Sequence, residues 1–402
     1  MWRLGFFFHE IAFGMLSVFI PLYVVTPIIG GSLVDIGIMT SLALFCSIPA
    51  SFFWGYVCDK TRRYKVYILL SFVSVAVILF LLTFVTDVLF FTLLYILMAV
   101  LHVAHESPKN VLIAEHYSRE EWEKSYASYE GLTEIGWFIG LLLGLVAFAS
   151  TLGFGGLASY ILYLCSALNL VAFGLSVFLI ADPLMIFERR LVGMERKLDY
   201  TFRGFEASSR MMDGLPSDGS FKKDSFLGFG LGLVLFSVAS SLFLTPLPIF
   251  FSEPPLVLPT SLIFVVYMLS SFGAIMGYFI IGRRGAYIDV KKQMRRVVLM
   301  RSLLVFLLVA VVQFAFYPTI VAGAILVFLG FAYALYYILM ISLSMELMPA
   351  GRTGLFDVFI GLGAGTGSFL GPFFATVFGF LPLFAFAGAI FLFAFVVLKI
   401  VT

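Results

Sequence analysis

Ionisable side chains interrupt several strongly apolar segments of this sequence. Five of them combine the chemical types and helical spacings that proton transfer requires: Glu10, His102, Glu106, Lys109 and Glu134. Those in LHVAHESPKN share one helix face, because residues three and four apart are neighbours on a helix surface. Carboxylates and imidazoles take up and release protons, and a nearby ammonium group adjusts their proton affinity. The sequence therefore predicts proton-coupling groups. The alternative is that these side chains are hydrated or paired near a membrane surface.

A second candidate group consists of three tyrosines. Tyr333, Tyr336 and Tyr337 lie in the apolar segment FAYALYYILM at 331–340. Their rings and hydroxyl groups suit a neutral ligand that carries a ring or forms hydrogen bonds. They are predicted substrate contacts, and the alternative is that they pack between helices without touching a ligand.

The elements that must position these residues follow from the composition. Apolar residues make up 62% of the 402 residues and charged residues only 12%, with a net charge of +2. Soluble domains have roughly 45–50% apolar and about 25% charged residues, and a chain of this length cannot enclose so many apolar side chains. A soluble enzyme, a nucleic-acid-binding protein and a secreted disulfide scaffold are therefore excluded, and the lipid bilayer is the expected solvent.

Motifs of other chemistries are missing from the sequence. It contains no phosphate-binding loop, no Gly-x-Ser-x-Gly string and no His-Glu-x-x-His string. Its three cysteines, Cys46, Cys58 and Cys165, have no paired spacing. We therefore expect no cofactor, no metal site, no disulfide framework and no enzymatic activity.

Apolar runs of spanning length recur twelve times, given that one crossing needs about 20 apolar residues. They are predicted at 4–25, 33–57, 66–86, 88–109, 127–149, 157–180, 226–251, 257–281, 297–317, 319–345, 353–378 and 381–401. Numbered in this order as spans 1 to 12, they define an all-α integral membrane protein. A joint at Thr86-Asp87 separates spans 3 and 4, because the combined run is too long for one crossing.

Lysine and arginine set the predicted orientation. These residues accumulate in the cytoplasmic loops of membrane proteins, and all 25 are expected on the side that also holds both chain termini. Seven of them are expected between spans 8 and 9 or just inside span 9. The sequence therefore predicts a multi-pass protein of the cytoplasmic membrane with cytoplasmic N- and C-termini.

A polar segment at 181–225 divides the chain into two halves, 1–180 and 226–402. Over 184–206, apolar and basic residues alternate with helical spacing. This pattern predicts an amphipathic helix that lies on the inner membrane surface or, equally well, on the protein's own cytoplasmic face. The rest of the segment reads as a cytoplasmic linker.

The two halves also resemble each other. Matching positions lie at a nearly constant offset: Pro21-Leu22 and Pro246-Leu247, Gly55-Tyr56 and Gly277-Tyr278, and Gly136 with Gly140 and Gly361 with Gly365. Two parallel six-helix repeats are predicted, an arrangement common in transporters.

The most specific motif lies in the turn between spans 2 and 3. The segment GYVCDKTRRYK at 55–65 has a glycine, an aspartate four residues later and a run of basic residues. It resembles the loop signature of the major facilitator superfamily, and Arg62 stands where that family usually has a second glycine. The resemblance implies the family fold, in which twelve transmembrane helices form two pseudo-symmetric six-helix bundles and spans 1 and 4 line the central path.

The resemblance also implies a gating role for this turn. In the family the aspartate faces the start of span 11, here Thr353-Gly354, and the contact holds the cytoplasmic side shut. The candidate gating residues are Gly55, Asp59, Lys60, Arg62 and Arg63. The alternative is that a basic turn merely anchors the topology.

Together these features predict a secondary active transporter that moves a small organic solute by alternating access, coupled to protons. The expected partners are the solute, the proton and the lipid bilayer, and the protein is expected to act as a monomer without nucleic acid. Two other functions remain open from the sequence. One is a membrane-embedded lipid-modifying enzyme that uses the histidines and glutamates of span 4. The other is a non-transporting solute sensor built on a transporter fold.

Overall fold

The computed structural model describes residues 2–116, 122–149, 154–181, 226–284, 289–314, 318–347 and 354–401. Within these ranges the chain forms helices and no strand. Twelve helical segments are long and apolar enough to cross a membrane, which confirms the predicted spans. The largest difference is at span 9, which begins at Val290 rather than at 297.

The first half is built from spans 1 to 6. Its helices are Leu4–Val24, Leu33–Thr61, Tyr64–Leu82, Val88–His102, Glu106–His116, Trp122–Ala149 and Phe154–Leu179. Span 4 consists of two of these helices, separated by a 3₁₀ turn at Val103–His105. We call the side of the membrane on which span 1 begins the terminal side and the other the distal side.

The second half is built from spans 7 to 12. Its helices are Phe226–Leu244, Leu247–Ser252, Thr260–Arg284, Val290–Phe314, Pro318–Leu347, Gly354–Phe378 and Phe380–Val401. Span 7 consists of the first two, which part at Pro246, since proline has no backbone N–H to continue the helix ladder. The predicted amphipathic helix at 184–206 lies outside the described residues.

Local capping separates neighbouring spans on the distal side. Asp87 accepts hydrogen bonds from the backbone N–H groups of Leu89 and Phe90 at 2.9 and 3.0 Å. This N-cap starts span 4 and explains why the long apolar run divides at the predicted joint. Span 2 starts with a capping box between Ser32 and Asp35.

Glycines bring span 5 against the backbone of span 1. A Cβ atom at Gly136 would overlap the carbonyl oxygen of Phe7, and one at Gly140 would overlap that of Ile11. Small residues allow membrane helices this close approach. These two glycines therefore allow spans 1 and 5 to pack backbone to backbone.

The second half repeats this contact at a register that differs from the predicted one. There, Gly363 meets the carbonyl oxygen of Val234 and Gly367 meets that of Val238, both in span 7. These glycines lie 227 residues after Gly136 and Gly140. The glycines predicted as the matches, at 361 and 365, instead face side chains of span 2. The sequence pairing was wrong by two residues, because span 11 carries glycine at alternate positions over 361–367 and only two of the four face span 7.

The halves meet through two pairs of spans related by the repeat. Span 2 packs against span 11, where Gly37 contacts Pro372 and Gly365 lies beside the ring of Phe45. Span 5 packs against span 8, where Gly144 lies against the ring of Phe264. On the distal side the second helix of span 7 also contacts span 1.

Candidate functional site

Three histidines of the first half lie together inside the bundle. His9 comes from span 1, whereas His102 and His105 come from span 4. One ring nitrogen of each lies within 4.8 Å of the others. The rings of His9 and His102 stack with centroids 5.0 Å apart, and those of His102 and His105 meet edge to face at 4.7 Å. The 3₁₀ turn at Val103–His105 sets the position of the third ring relative to the second.

Sequence reasoning missed this cluster, although it named His102 as a candidate. The available signal was a His-x-x-His spacing in span 4 together with a single histidine in span 1. His105 was not among the predicted site residues, and it is only 2% exposed. Span 4 continues to Ile113, which places His105 well inside the span.

An acid and a lysine adjoin the histidines. Glu106 pairs with Lys109 at 2.5 Å through one carboxylate oxygen, and its other oxygen lies 3.3 Å from His105 Nε2. The carboxylate side is accessible, since the side chain of Glu106 is 41% exposed. Lys109 is buried and its ammonium group lies 5.9 Å from the ring of Tyr129. All basic residues, Lys109 included, were expected on the side of the chain termini. The structure instead places Lys109 within span 4, which continues to Ile113.

Glu134 occupies a different position from the other candidate acids. Its Oε1 accepts a hydrogen bond of 2.6 Å from the hydroxyl group of Ser271 in span 8. This bond connects the first half to the second. Glu10 belongs to span 1. It lies against the face of span 5 opposite to Glu134, where its Cβ is close to Gly136. The predicted acids therefore divide between the interior of the first half and the contact between the halves.

The three tyrosines of span 10 do not share one environment. Tyr333 is 39% exposed, and its ring lies 6.2 Å from that of the half-buried Tyr337 in a stacked arrangement. Tyr336 is buried instead, stacked on Phe236 with ring centroids 3.4 Å apart. The structure thus places two of the predicted substrate contacts along an accessible edge of span 10 and the third in the packed interior.

Arg301 is a buried cation that the sequence analysis placed just inside span 9. It is the twelfth of the 25 residues of Val290–Phe314 and is 2% exposed. Its guanidinium carbon lies 5.1 Å from the ring centres of Phe236 and Tyr333 and 5.3 Å from that of Phe391. Two of its nitrogens, Nε and Nη1, have no hydrogen-bond partner. Arg301 therefore lies deeper in span 9 than expected, because the helix starts at Val290, before the apolar run.

The signature turn between spans 2 and 3 is helical almost to its tip. Gly55 and Asp59 lie in the last turns of span 2, and Asp59 and Lys60 are exposed. Arg62 ends the helix with φ 57° and ψ 24°, the left-handed conformation that favours glycine. The following Lys65 donates a 2.6 Å hydrogen bond to the carbonyl oxygen of Val177 at the end of span 6.

The predicted latch falls partly outside the described residues, because Thr353 and the side chains that open span 11 are not among them. What the structure does describe is the space beside Gly55, where an added Cβ would meet no atom within 4 Å. Arg63 is exposed as the N-terminal neighbour of span 3. The turn is thus accessible on the terminal side.

Comparisons with known proteins match the architecture. A family model described as Major Facilitator Superfamily matches residues 4–356. The solved structure of the nucleoside transporter NupG has a TM-score of 0.66 at 13% identity, covering 100% of this chain and 98% of that chain. The xylose transporter XylE from E. coli, in a partially occluded inward-open conformation, has a TM-score of 0.67 at 13% identity, covering 98% and 97%. At this identity the likeness shows the fold. A comparison with curated protein sequences gives no match.

Proposed function

Since this chain belongs to the major facilitator superfamily, a family of membrane transporters, we propose that it is a proton-coupled secondary active transporter of a small organic solute. The halves 1–180 and 226–402 rock against each other, so that the central path opens alternately to the two sides. The terminal side is cytoplasmic in this proposal, and the protein lies in the cytoplasmic membrane.

The observation that carries the proposal is the hydrogen bond between Glu134 and Ser271. It joins spans 5 and 8, which must change their contact when the halves rock. A hydrogen bond to a carboxylate contributes about 1.5–3 kcal/mol, whereas one between neutral groups contributes about 0.5–1.5 kcal/mol. Uptake of a proton by Glu134 therefore weakens this contact and links the protonation state to the conformation of the transporter.

The solute contacts are proposed on the second half. Tyr333 and Tyr337 present stacked rings along the accessible edge of span 10, and aromatic rings pack well against flat or cyclic ligands. The guanidinium group of Arg301 lies 5.1 Å from the centre of the Tyr333 ring, and Arg301 acts as a positioning residue. The solved structures with this fold carry the names of a nucleoside transporter and a xylose transporter. A ring-bearing, hydroxyl-rich solute of this kind is accordingly the proposed substrate class.

Gating is proposed for the turn between spans 2 and 3. Asp59 lies at the last turn of span 2, which packs against span 11. An aspartate there can interact with the positive N-terminal end of span 11. Closure of the terminal side would also use the open space beside Gly55.

The test is reconstitution of the purified protein in vesicles with an imposed pH gradient and pools of labelled nucleosides and sugars. We expect solute accumulation that follows the proton gradient, and solute exchange that persists without it. The Glu134→Gln variant fixes the neutral form and is expected to keep exchange while losing gradient-driven accumulation. Glu253→Gln, at an exposed acid between spans 7 and 8, is the matched control and should behave as the unchanged protein.

Other outcomes point to other functions. Accumulation by Glu134→Gln equal to that of the unchanged protein would remove Glu134 as the proton carrier. Saturable solute binding without any exchange would identify a sensor instead of a transporter. Turnover of lipid head groups without solute flux would identify the membrane-embedded enzyme.

A further inference from the structure

The proposed function gives no role to the cluster of three histidines. We propose that His9, His102 and His105 bind one divalent transition-metal ion of the zinc type. Imidazole is a preferred ligand for zinc, copper and nickel, and zinc is usually held by four ligands drawn from imidazole, thiolate and carboxylate groups.

The hydrogen bonds around His9 fix which of its nitrogens is available. The side-chain amide of Asn169 donates from Nδ2 to the carbonyl oxygen of Cys165 at 2.8 Å, so its Oδ1 faces His9. That oxygen can only accept, and it lies 2.6 Å from His9 Nδ1, so Nδ1 carries the proton and Nε2 of the neutral ring holds a lone pair. His9 is 0% exposed, so its Nε2 is buried, and this atom has no hydrogen-bond partner. A buried acceptor without a donor is what a metal ion would satisfy.

His105 is oriented in the same manner. Its Nδ1 lies 2.6 Å from the backbone carbonyl oxygen of His102, which can only accept, so Nδ1 is the donor. Nε2 faces the carboxylate of Glu106 at 3.3 Å, and a metal ion between them would bind both. The hydroxyl group of Ser71 donates a 2.9 Å hydrogen bond to the same carbonyl oxygen of His102. Metal-ligating histidines almost always donate their other ring N–H to a carboxylate, carbonyl or similar acceptor in this way. Two of the three rings therefore already have the second hydrogen bond that such a site requires.

The distances allow a metal ion to bind once the ligand nitrogens move closer together. Zinc–nitrogen bonds of about 2.0–2.1 Å place tetrahedral ligands roughly 3.3 Å apart, and one ring nitrogen of each histidine lies within 4.8 Å of one nitrogen of the other two. The oxygen of Glu106 that faces His105 at 3.3 Å supplies the fourth ligand position. The other oxygen of the same carboxylate pairs with the buried Lys109.

The placement of the ligands assigns the ion a resident role. All three histidines and Asn169 belong to the first half, whereas a transported solute binds between the halves. A metal ion held by spans 1 and 4 moves with that half and stays bound when the halves rock. This last step rests on the proposed alternating access, but metal binding itself does not.

The experiment measures binding of the metal alone to the full chain in detergent. Protein stripped with a chelator is titrated with Zn²⁺ by calorimetry and with Co²⁺ by its visible absorption, and bound metal is counted by elemental analysis. We expect one equivalent per chain and a Co²⁺ spectrum typical of nitrogen and oxygen ligands. Binding should weaken at least tenfold in His9→Gln and His102→Gln, and by about 10–100-fold in Asn169→Ala, which disturbs only the orientation of a ligand.

The controls keep the result decisive. His116→Gln alters the remaining histidine of the chain, eleven residues beyond His105, and should bind metal as the unchanged protein does. If His9→Gln fails to fold, as judged by gel filtration, the partly exposed His102 provides the deciding variant. The proposal is overturned if the unchanged protein binds no stoichiometric metal, or if both histidine variants retain its affinity. Zinc entering vesicles at the rate of the solute would overturn the resident assignment, and solute transport without metal binding would leave the proposed function standing while refuting the metal site.

Discussion

The hydrogen bond between Glu134 and Ser271 allows a quantitative test of how the two halves are coupled. Its oxygen–oxygen distance is 2.6 Å, in the range of charge-assisted bonds. Such bonds contribute about 1.5–3 kcal/mol in soluble proteins, whereas cycles in a membrane protein average about 0.6 kcal/mol and reach about 1.7 kcal/mol. We take about 1–1.7 kcal/mol for this bond, which corresponds to roughly a 5- to 20-fold change in the balance between two conformations.

The perturbation is a double-mutant cycle of Ser271→Ala and Glu134→Ala, read out as the rate of solute exchange at constant pH. Each substitution removes the bond, so each should change the rate by the same 5- to 20-fold factor, and the double variant should change it no further. The coupling energy would then equal the energy of the bond. A matched cycle uses Thr245 and Ser368, whose hydroxyl groups bond at 3.1 Å within the second half, and it should leave the exchange rate nearly unchanged.

Additive effects of the two substitutions, within about 0.3–0.5 kcal/mol, would refute the reasoning. They would mean that the bond is absent from the states that limit exchange. An equal coupling in the control cycle would also contradict it, because the effect would then follow from helix packing in general and not from the contact between the halves.

Four further predictions concern single positions. Asp59→Asn should insert and fold normally but slow uptake at least tenfold, because it removes the charge of the latch, and unchanged uptake would dismiss the latch. Arg62→Gly should raise the thermal midpoint in detergent by relieving a left-handed conformation that costs roughly 1 kcal/mol, and a lower midpoint would contradict this account of the turn. Gly140→Ala should lose about 1–3 kcal/mol of stability through overlap with span 1, whereas Gly174→Ala, with no atom within 4 Å of the added Cβ, should gain about 0.5–1 kcal/mol. Arg301→Lys should raise KM about tenfold with little change in kcat, since lysine lacks the planar group that stacks on Tyr333, and an equal loss in kcat would assign it a purely structural role.

The architecture was predictable from the sequence because membrane spans are encoded locally. A crossing helix must satisfy its own backbone hydrogen bonds, so the length of each apolar run is a sufficient signal. The joint between spans 3 and 4 shows this well, since Asp87 sits where the cap is needed. The family resemblance rested on a similarly local feature, the residues from Gly55 to Lys65.

The site was less predictable because its parts depend on tertiary packing. His9 meets His105 only when spans 1 and 4 pack together, and no spacing in the sequence encodes that contact. Arg301 was missed for a different reason. It follows a basic stretch in the sequence, and only the earlier start of the helix at Val290 shows that it lies at the middle of span 9. The orientation and the proton and substrate assignments remain predictions.

The close packing of span 1 against span 5 has a consequence for how the protein is made. Span 1 ends at Val24 and span 5 at Ala149, so synthesis at about 5–20 residues per second separates their appearance by roughly 6–25 seconds. During this interval Gly14 cannot pack against the backbone carbonyl group of Trp137 in span 5. The hydrogen bond between His9 and Asn169 forms later still, because Asn169 lies in span 6. These groups of span 1 therefore lack their partners while the later spans are being made. We expect span 1 to need a hydrated or protein-lined environment until span 6 has been made.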